Sequence, residues 1–399
     1  MPTTSDRFID VLRVFAIVAI VGQHWLIPEL TYENGILTAT SSLAAPGRWS
    51  IAWVGQVLPL FFFAGGAAAA ISLRARERRL DDPQPTTTWL IDGARRMAVP
   101  VLPLAAIWLT LPRLLVAVGV PTQPVQLASE LVGQLIWFLA VYAMLVSLTP
   151  ILLRLHDRWR GREAIALAAA AVGVDVVRFT VLDGSGWISY ANVVLVWGAI
   201  YQAGITYAEG GPIRRRTAAT LGAAGLAATA LAVAVGLYAP SAIGVPGQPL
   251  SNITAPAAAL LALAAGQLGL ALVLRDALIR WADHGPVTAT LDWVSARLTT
   301  VLVWHIPALV VVAGVTVVGI GYTNAEPFST GWRADAPMWL AALAVVLTGF
   351  VRAFGRFERQ QPRTVRVTAP SAAEVGLPST RSHRAAGLVR RTLTGRLEA

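Results

Sequence analysis

Apolar stretches long enough to cross a bilayer recur along this chain, and they restrict it to one kind of fold. A helix needs roughly 20 apolar residues to span the hydrocarbon core. Ten segments fit that description, at about 8–27, 50–72, 97–119, 130–151, 164–182, 187–207, 217–237, 254–275, 293–318 and 337–354. Composition agrees: 55% of the 399 residues are hydrophobic and 14% are charged, where a soluble domain carries about 25% charge. Runs of this length satisfy their backbone groups in hydrocarbon by forming helices. The expected fold is all-α, a polytopic integral membrane helix bundle of about ten transmembrane helices. The first segment does not read as a cleaved signal, because Arg13 interrupts its start and no small-x-small site follows.

The net charge of +10 does not point to nucleic acid, because the arginines are concentrated in alternate connections. Arg74, Arg76, Arg78, Arg79, Arg95 and Arg96 fall between segments two and three. Arg154, Arg158, Arg160 and Arg162 follow segment four, Arg214, Arg215 and Arg216 follow segment six, and Arg275 and Arg280 follow segment eight. The other connections hold almost none. By the positive-inside rule both termini are expected in the cytoplasm, and the protein in the cell membrane. Residues 1–355 read as one transmembrane domain. Residues 356–399 read as a basic cytoplasmic tail without hydrophobic periodicity, expected to be disordered and able to touch anionic lipid.

The first segment carries the most informative residues. Asp10, Arg13 and His24 lie in one apolar run, and the eleven-residue spacing of Arg13 and His24 is about three helical turns. Both side chains then share a face, roughly 16 Å apart along the axis. Ionisable groups in a membrane helix face the protein interior or a wet cavity. One reading is a polar pair satisfied by neighbouring helices; the other is a proton acceptor near the outer face. His305, just before Pro307, reads either as site-lining or as an interhelical hydrogen-bond partner. Asp292 and Arg297, and Asp175 and Arg178, read as local pairs, and Glu130 as the cap of segment four. His156, His284 and His383 read as solvated. Phe61, Phe62 and Phe63 read first as packing, and Trp137 equally as packing or pocket lining.

The absences are as useful. The chain has no Cys, and all 32 basic residues are Arg. That removes thiolate nucleophiles, thiolate metal sites and lysine Schiff bases. No H-E-x-x-H or G-x-S-x-G occurs. His and carboxylates are left as acid–base groups, with neither a metal centre nor a permanently bound cofactor expected.

At DVLRVFAIVAIVGQH, Asp10–His24, the chain resembles the membrane acyltransferase-3 family, whose first helix carries an Arg, ten residues and a His. LPLFFFAGG, Leu58–Gly66, is similar to the family's Pro-x-Phe-Phe-x-x-Ser-Gly signature, with Gly65 in place of Ser, a form that looks actinobacterial. ARRMAVP, Ala94–Pro100, is similar to its Arg-rich start of the third helix. IWFLAVY, Ile136–Tyr142, resembles its Trp-Phe-Leu box, with Leu135 where a His often stands. VWHIP, Val303–Pro307, resembles a late His-Pro stretch. The resemblance covers about residues 7–355 and implies ten helices with cytoplasmic ends.

It also implies an enzyme transferring acyl groups other than aminoacyl groups. The donor would be acyl-CoA and the acceptor a hydroxyl of a carbohydrate, lipid or other small molecule at the membrane, such as an envelope glycan. Carried over by position, His24 would be the base, Arg13 part of the polar seam, and Arg95 and Arg96 would hold the donor. Asp10, Phe62, Trp137 and His305 are candidates for lining the substrate pocket. Two other classes compete. A proton-coupled transporter or flippase could use Asp10, Arg13, His24 and His305 as a path, although no inverted repeat is evident. A polyprenyl-phosphate glycosyltransferase could use Glu29 and Glu33 of the first outer loop, although those glutamates are more simply a polar loop.

Overall fold

The computed structural model describes residues 6–41, 43, 47–78, 85–182, 187–242, 252–253, 256–323 and 325–358. Arg79, His383 and the tail from residue 359 onward lie outside the described residues. Each of the ten apolar segments contains helix. In chain order these are α1 (Arg7–Leu26), α2 (Trp49–Val54), α3 (Leu58–Glu77), α4 (Thr86–Ala98), α5 (Leu102–Ala117), α6 (Thr122–Trp159), α7 (Arg162–Thr180) and α8 (Ala191–Gly210). They continue as α9 (Arg215–Ala234), α10 (Ala259–Val273), α11 (Arg275–Ala282), α12 (Gly285–Ser295), α13 (Leu298–Ala313) and α14 (Thr330–Phe354).

Among the described residues, eight helical stretches are long and apolar enough to cross a membrane, and α10 with α11 makes a ninth, bent by 61°. The remaining expected span is α7. It is a full helix, but it carries Arg162, Glu163, Asp175 and Arg178 and so falls short on composition. The chain is a multi-pass membrane protein with an all-α bundle.

Local chemistry sets the boundaries. Asp6 caps α1, accepting the Phe8 N–H at 2.9 Å. Ser329 caps α14 in the same way, accepting from Trp332 N–H at 3.1 Å. Glu130 caps nothing, because α6 starts eight residues earlier, after Pro121. Its first two turns, from Thr122, are too polar to stand out in an apolar window. Between α1 and α2 lies an unanticipated hairpin of β1 (Pro28–Glu33) and β2 (Ile36–Ser41), paired antiparallel from Pro28↔Ser41 to Glu33↔Ile36. Its turn is Asn34–Gly35, with φ of 51° and 83°, the left-handed pair that a tight hairpin requires.

Helices in hydrocarbon associate through close packing and internal hydrogen bonds rather than hydrophobic exclusion. The α3–α8 crossing depends on backbone approach: a side chain at Gly204 would run into the Phe63 carbonyl, and one at Gly66 into the Tyr201 carbonyl. Around this crossing lie the fully buried rings of Phe62, Trp197 and Tyr201. Asp175 keeps Arg178 within electrostatic range, and the acidic residues of both expected pairs also take partners far away in sequence. Asp175 accepts from Asn192, Tyr238 and the Ala258 N–H, at 2.8, 2.9 and 2.7 Å. Asp292 accepts from Arg7 at 3.1 Å, while Arg297 donates to the Trp293 carbonyl. His156 is not solvated but hydrogen-bonds Glu163, at 2.8 Å.

Replacing Gly204 by Leu should separate α3 from α8 and cost about 1–3 kcal/mol, read as a lowered unfolding midpoint in detergent. Gly210→Ala, at a position with open space around it, should leave the midpoint unchanged.

Candidate active site

Helix α1 holds its polar residues at two depths. Its starting end is fixed by charge. Arg7 donates to Asp292 at 3.1 Å and to the Ala282 carbonyl at 2.8 Å. Asp6 accepts from the Tyr207 hydroxyl at 2.9 Å, and that hydroxyl accepts from Arg275 at 3.1 Å. Its far end is fixed by amides and indoles. Gln23 donates to the Gly55 carbonyl at 2.6 Å, Trp25 Nε1 to the His305 carbonyl at 3.0 Å, and Trp339 Nε1 to the Trp25 carbonyl at 2.9 Å.

At the far end, His24 and His305 meet, 281 residues apart in sequence. Nδ1 of His24 lies 2.8 Å from Nε2 of His305, and the rings are 5.0 Å between centroids and 19° from parallel. Nδ1 of His305 lies 2.6 Å from the Leu302 carbonyl. A carbonyl only accepts, so in the neutral pair Nδ1 of His305 carries the hydrogen and Nε2 is its acceptor. Nδ1 of His24 therefore donates, and Nε2 of His24 keeps a bare lone pair. His305 is fully buried, whereas His24 retains exposed surface. The outer imidazole is reachable and the inner one orients it, the second-partner arrangement that fixes tautomer elsewhere. Pro307, two residues on, has no N–H for the Val303 carbonyl, which loosens the backbone beside the pair.

At the nearer depth, Arg13 stands within electrostatic range of Asp10, Arg96 and Tyr142. The ring of Tyr142 lies 5.0 Å from Phe61 and 6.2 Å from Phe62. This is where Gly65 matters: a Cβ there would approach Tyr142 Cε2 to 2.6 Å. Tyr142 occupies the space that a side chain at Gly65 would need. Tyr142 was legible only as the last residue of the Trp-Phe-Leu box, and its role depends on α6 lying against α3.

The other candidates spread out. Phe62 is buried, stacked on Trp197 at 4.6 Å and edge-on to Phe138 at 5.5 Å, so its ring meets other rings. Trp137 is on the outer side of α6, 39% exposed. Arg95 is exposed at the end of α4 and Arg96 is half-buried. Arg74 and Arg76 are structural: Arg74 bridges Glu77, Asp157 and Glu209, and Arg76 pairs with Asp92 at 3.1 Å. Glu29 and Glu33 lie in β1 as part of the hairpin.

Residues 6–355 match the model for an acyltransferase domain, that of the acyltransferase-3 family, and the chain belongs to this family. It is a membrane acyltransferase. Neither a curated protein nor a solved structure matches the chain.

The Gly65–Tyr142 contact is testable. Gly65→Ser should destabilise the protein by about 1–3 kcal/mol. Combined with Tyr142→Leu, a double-mutant cycle in thermal unfolding should return a coupling of at least about 1 kcal/mol.

Proposed function

We propose that the protein is an O-acyltransferase of the cell membrane. It moves an acyl group from cytoplasmic acyl-CoA to a hydroxyl of an envelope glycan, glycolipid or related small acceptor, with His24 as general base. The observation that carries this reading is the His24–His305 hydrogen bond, which leaves Nε2 of His24, the more exposed ring of the two, free to accept a proton. Both termini are cytoplasmic in this reading, as the arginine distribution favours. That places the α4 arginines inside and His24 toward the outer face.

The chemistry follows from the pair. An acceptor hydroxyl is far too weak an acid to ionise at neutral pH, so its proton leaves as the oxygen attacks the thioester carbonyl. Nε2 of His24 takes that proton. The new C–O ester bond forms, the C–S bond breaks, and CoA leaves as a thiolate that recovers the proton from the imidazolium. The charge acquired by His24 is met by Nε2 of His305, to which its Nδ1–H already points. His305 is a positioning residue: it holds His24 in the tautomer that can accept. Arg13, Arg95 and Arg96 suit the donor's phosphates, since guanidinium pairs bidentately with phosphate. The depth between Arg13 and His24 is then bridged by the donor's pantetheine arm.

The test follows CoA release from labelled acyl-CoAs by purified protein in nanodiscs, with envelope extract as acceptor. His24→Ala should lower acceptor-dependent release by about 10²–10⁴-fold while the protein stays folded. His305→Leu should lower kcat by roughly 10–100-fold, the scale at which orienting partners act, with KM held. Undiminished release by folded His24→Ala would overturn the proposed base. Absence of both binding and release across a broad donor panel would favour transport.

A further inference from the structure

Three arginines converge where α12, α13 and α14 meet. Trp293, Arg297, Val351, Arg352, Gly355 and Arg356 line a cavity of about 420 Å³, within the size range of small-ligand sites. None of the three arginines forms an ion pair with a described carboxylate. Glu358, two residues beyond Arg356, is already engaged. It accepts from the Thr299 and Thr300 N–H groups at 3.0 and 2.9 Å and from the Thr300 hydroxyl at 2.6 Å, capping α13. Arg297 is held in place, its guanidinium 4.8 Å over the Trp293 ring and one N–H on the Trp293 carbonyl at 3.1 Å.

The surroundings suit an anion from the arginine-rich side. The turn Gly355–Phe357, which carries Arg356, packs against the turn Val99–Val101, which directly follows Arg95 and Arg96 on α4. Three guanidinium groups lining one cavity suit an anion with several acceptor oxygens.

We propose that this cavity binds a phosphate group, held by Arg297, Arg352 and Arg356. The nucleotide end of a CoA donor and the headgroup of an anionic phospholipid present the same chemistry. The first source rests on the acyl-CoA reading above; the second does not.

Binding to the full-length protein in neutral detergent separates them, using as probes CoA, 3′-dephospho-CoA, dioctanoyl phosphatidylglycerol and dioctanoylglycerol. Arg352→Gln with Arg356→Gln changes two exposed side chains and leaves α13 intact; Arg297→Gln is the second variant. At least one phosphate-bearing probe should bind the wild type and weaken by about tenfold or more in a variant that keeps its unfolding midpoint. Loss for CoA assigns the nucleotide source, and loss for phosphatidylglycerol alone assigns the headgroup. Equal binding by wild type and both variants, or no phosphate-dependent binding at all, would overturn the proposal. His24→Ala should bind these probes as the wild type does, so a failure of the catalytic reading is seen separately.

Discussion

The structure hangs on helix α1 being clamped at both ends by groups that hydrocarbon cannot satisfy. Arg7 and Asp6 tie its start to α8, α11 and α12. Gln23 and Trp25 tie its last turn to the residue after α2 and to α13, and Trp339 of α14 closes on the same turn. An unpaired polar group in a bilayer is expensive, so these bonds fix the depth and rotation of α1 more firmly than its apolar faces do. Asp10, Arg13 and His24 inherit that placement. The imidazole pair is a product of it: α1 supplies one ring, α13 the other, and neither helix alone would fix a tautomer.

The two depths of α1 divide the labour. Near its start, arginines and Tyr142 make an electropositive, aromatic region. Near its end, the hydrogen-bonded imidazoles of His24 and His305 make a second one. The twenty residues of α1 keep these two environments apart along the helix axis. The α3–α8 crossing, locked by Gly66 and Gly204 against backbone carbonyls, gives α1 a rigid wall to lean on.

Much of this was legible in the sequence. The apolar runs located the ten long helical stretches but not the shorter α4, α11 and α12, and the spacing of Arg13 and His24 put them on one helix of the right length. His305 stood out as well, but not as the partner of His24, because their contact spans 281 positions and exists only once α13 packs on α1. Gly65 read as a missing Ser; the space it leaves belongs to Tyr142, which a linear pattern cannot show. Glu130 was misplaced because polar opening turns hid the true start of α6. The hairpin escaped because a reading tuned to twenty-residue apolar runs passes over two six-residue strands, despite the Asn34–Gly35 signal between them. Asp175 and Arg178 read as neighbours and do lie within electrostatic range, but the hydrogen bonds of Asp175 to Asn192, Tyr238 and Ala258, and of Asp292 to Arg7, join residues that sequence proximity could not connect.

The hairpin after α1 carries a last consequence. A two-stranded ribbon ordinarily presents an open edge to which a foreign strand can add. Here the Gln123 side chain, at the beginning of α6, takes the Leu37 N–H at 2.9 Å and gives its own N–H to the Leu37 carbonyl at 3.0 Å. One amide thus imitates a single residue of a third strand. The ribbon is sealed at that point against self-recruitment, and neighbouring copies crowded in a membrane are denied a template for stacking through it.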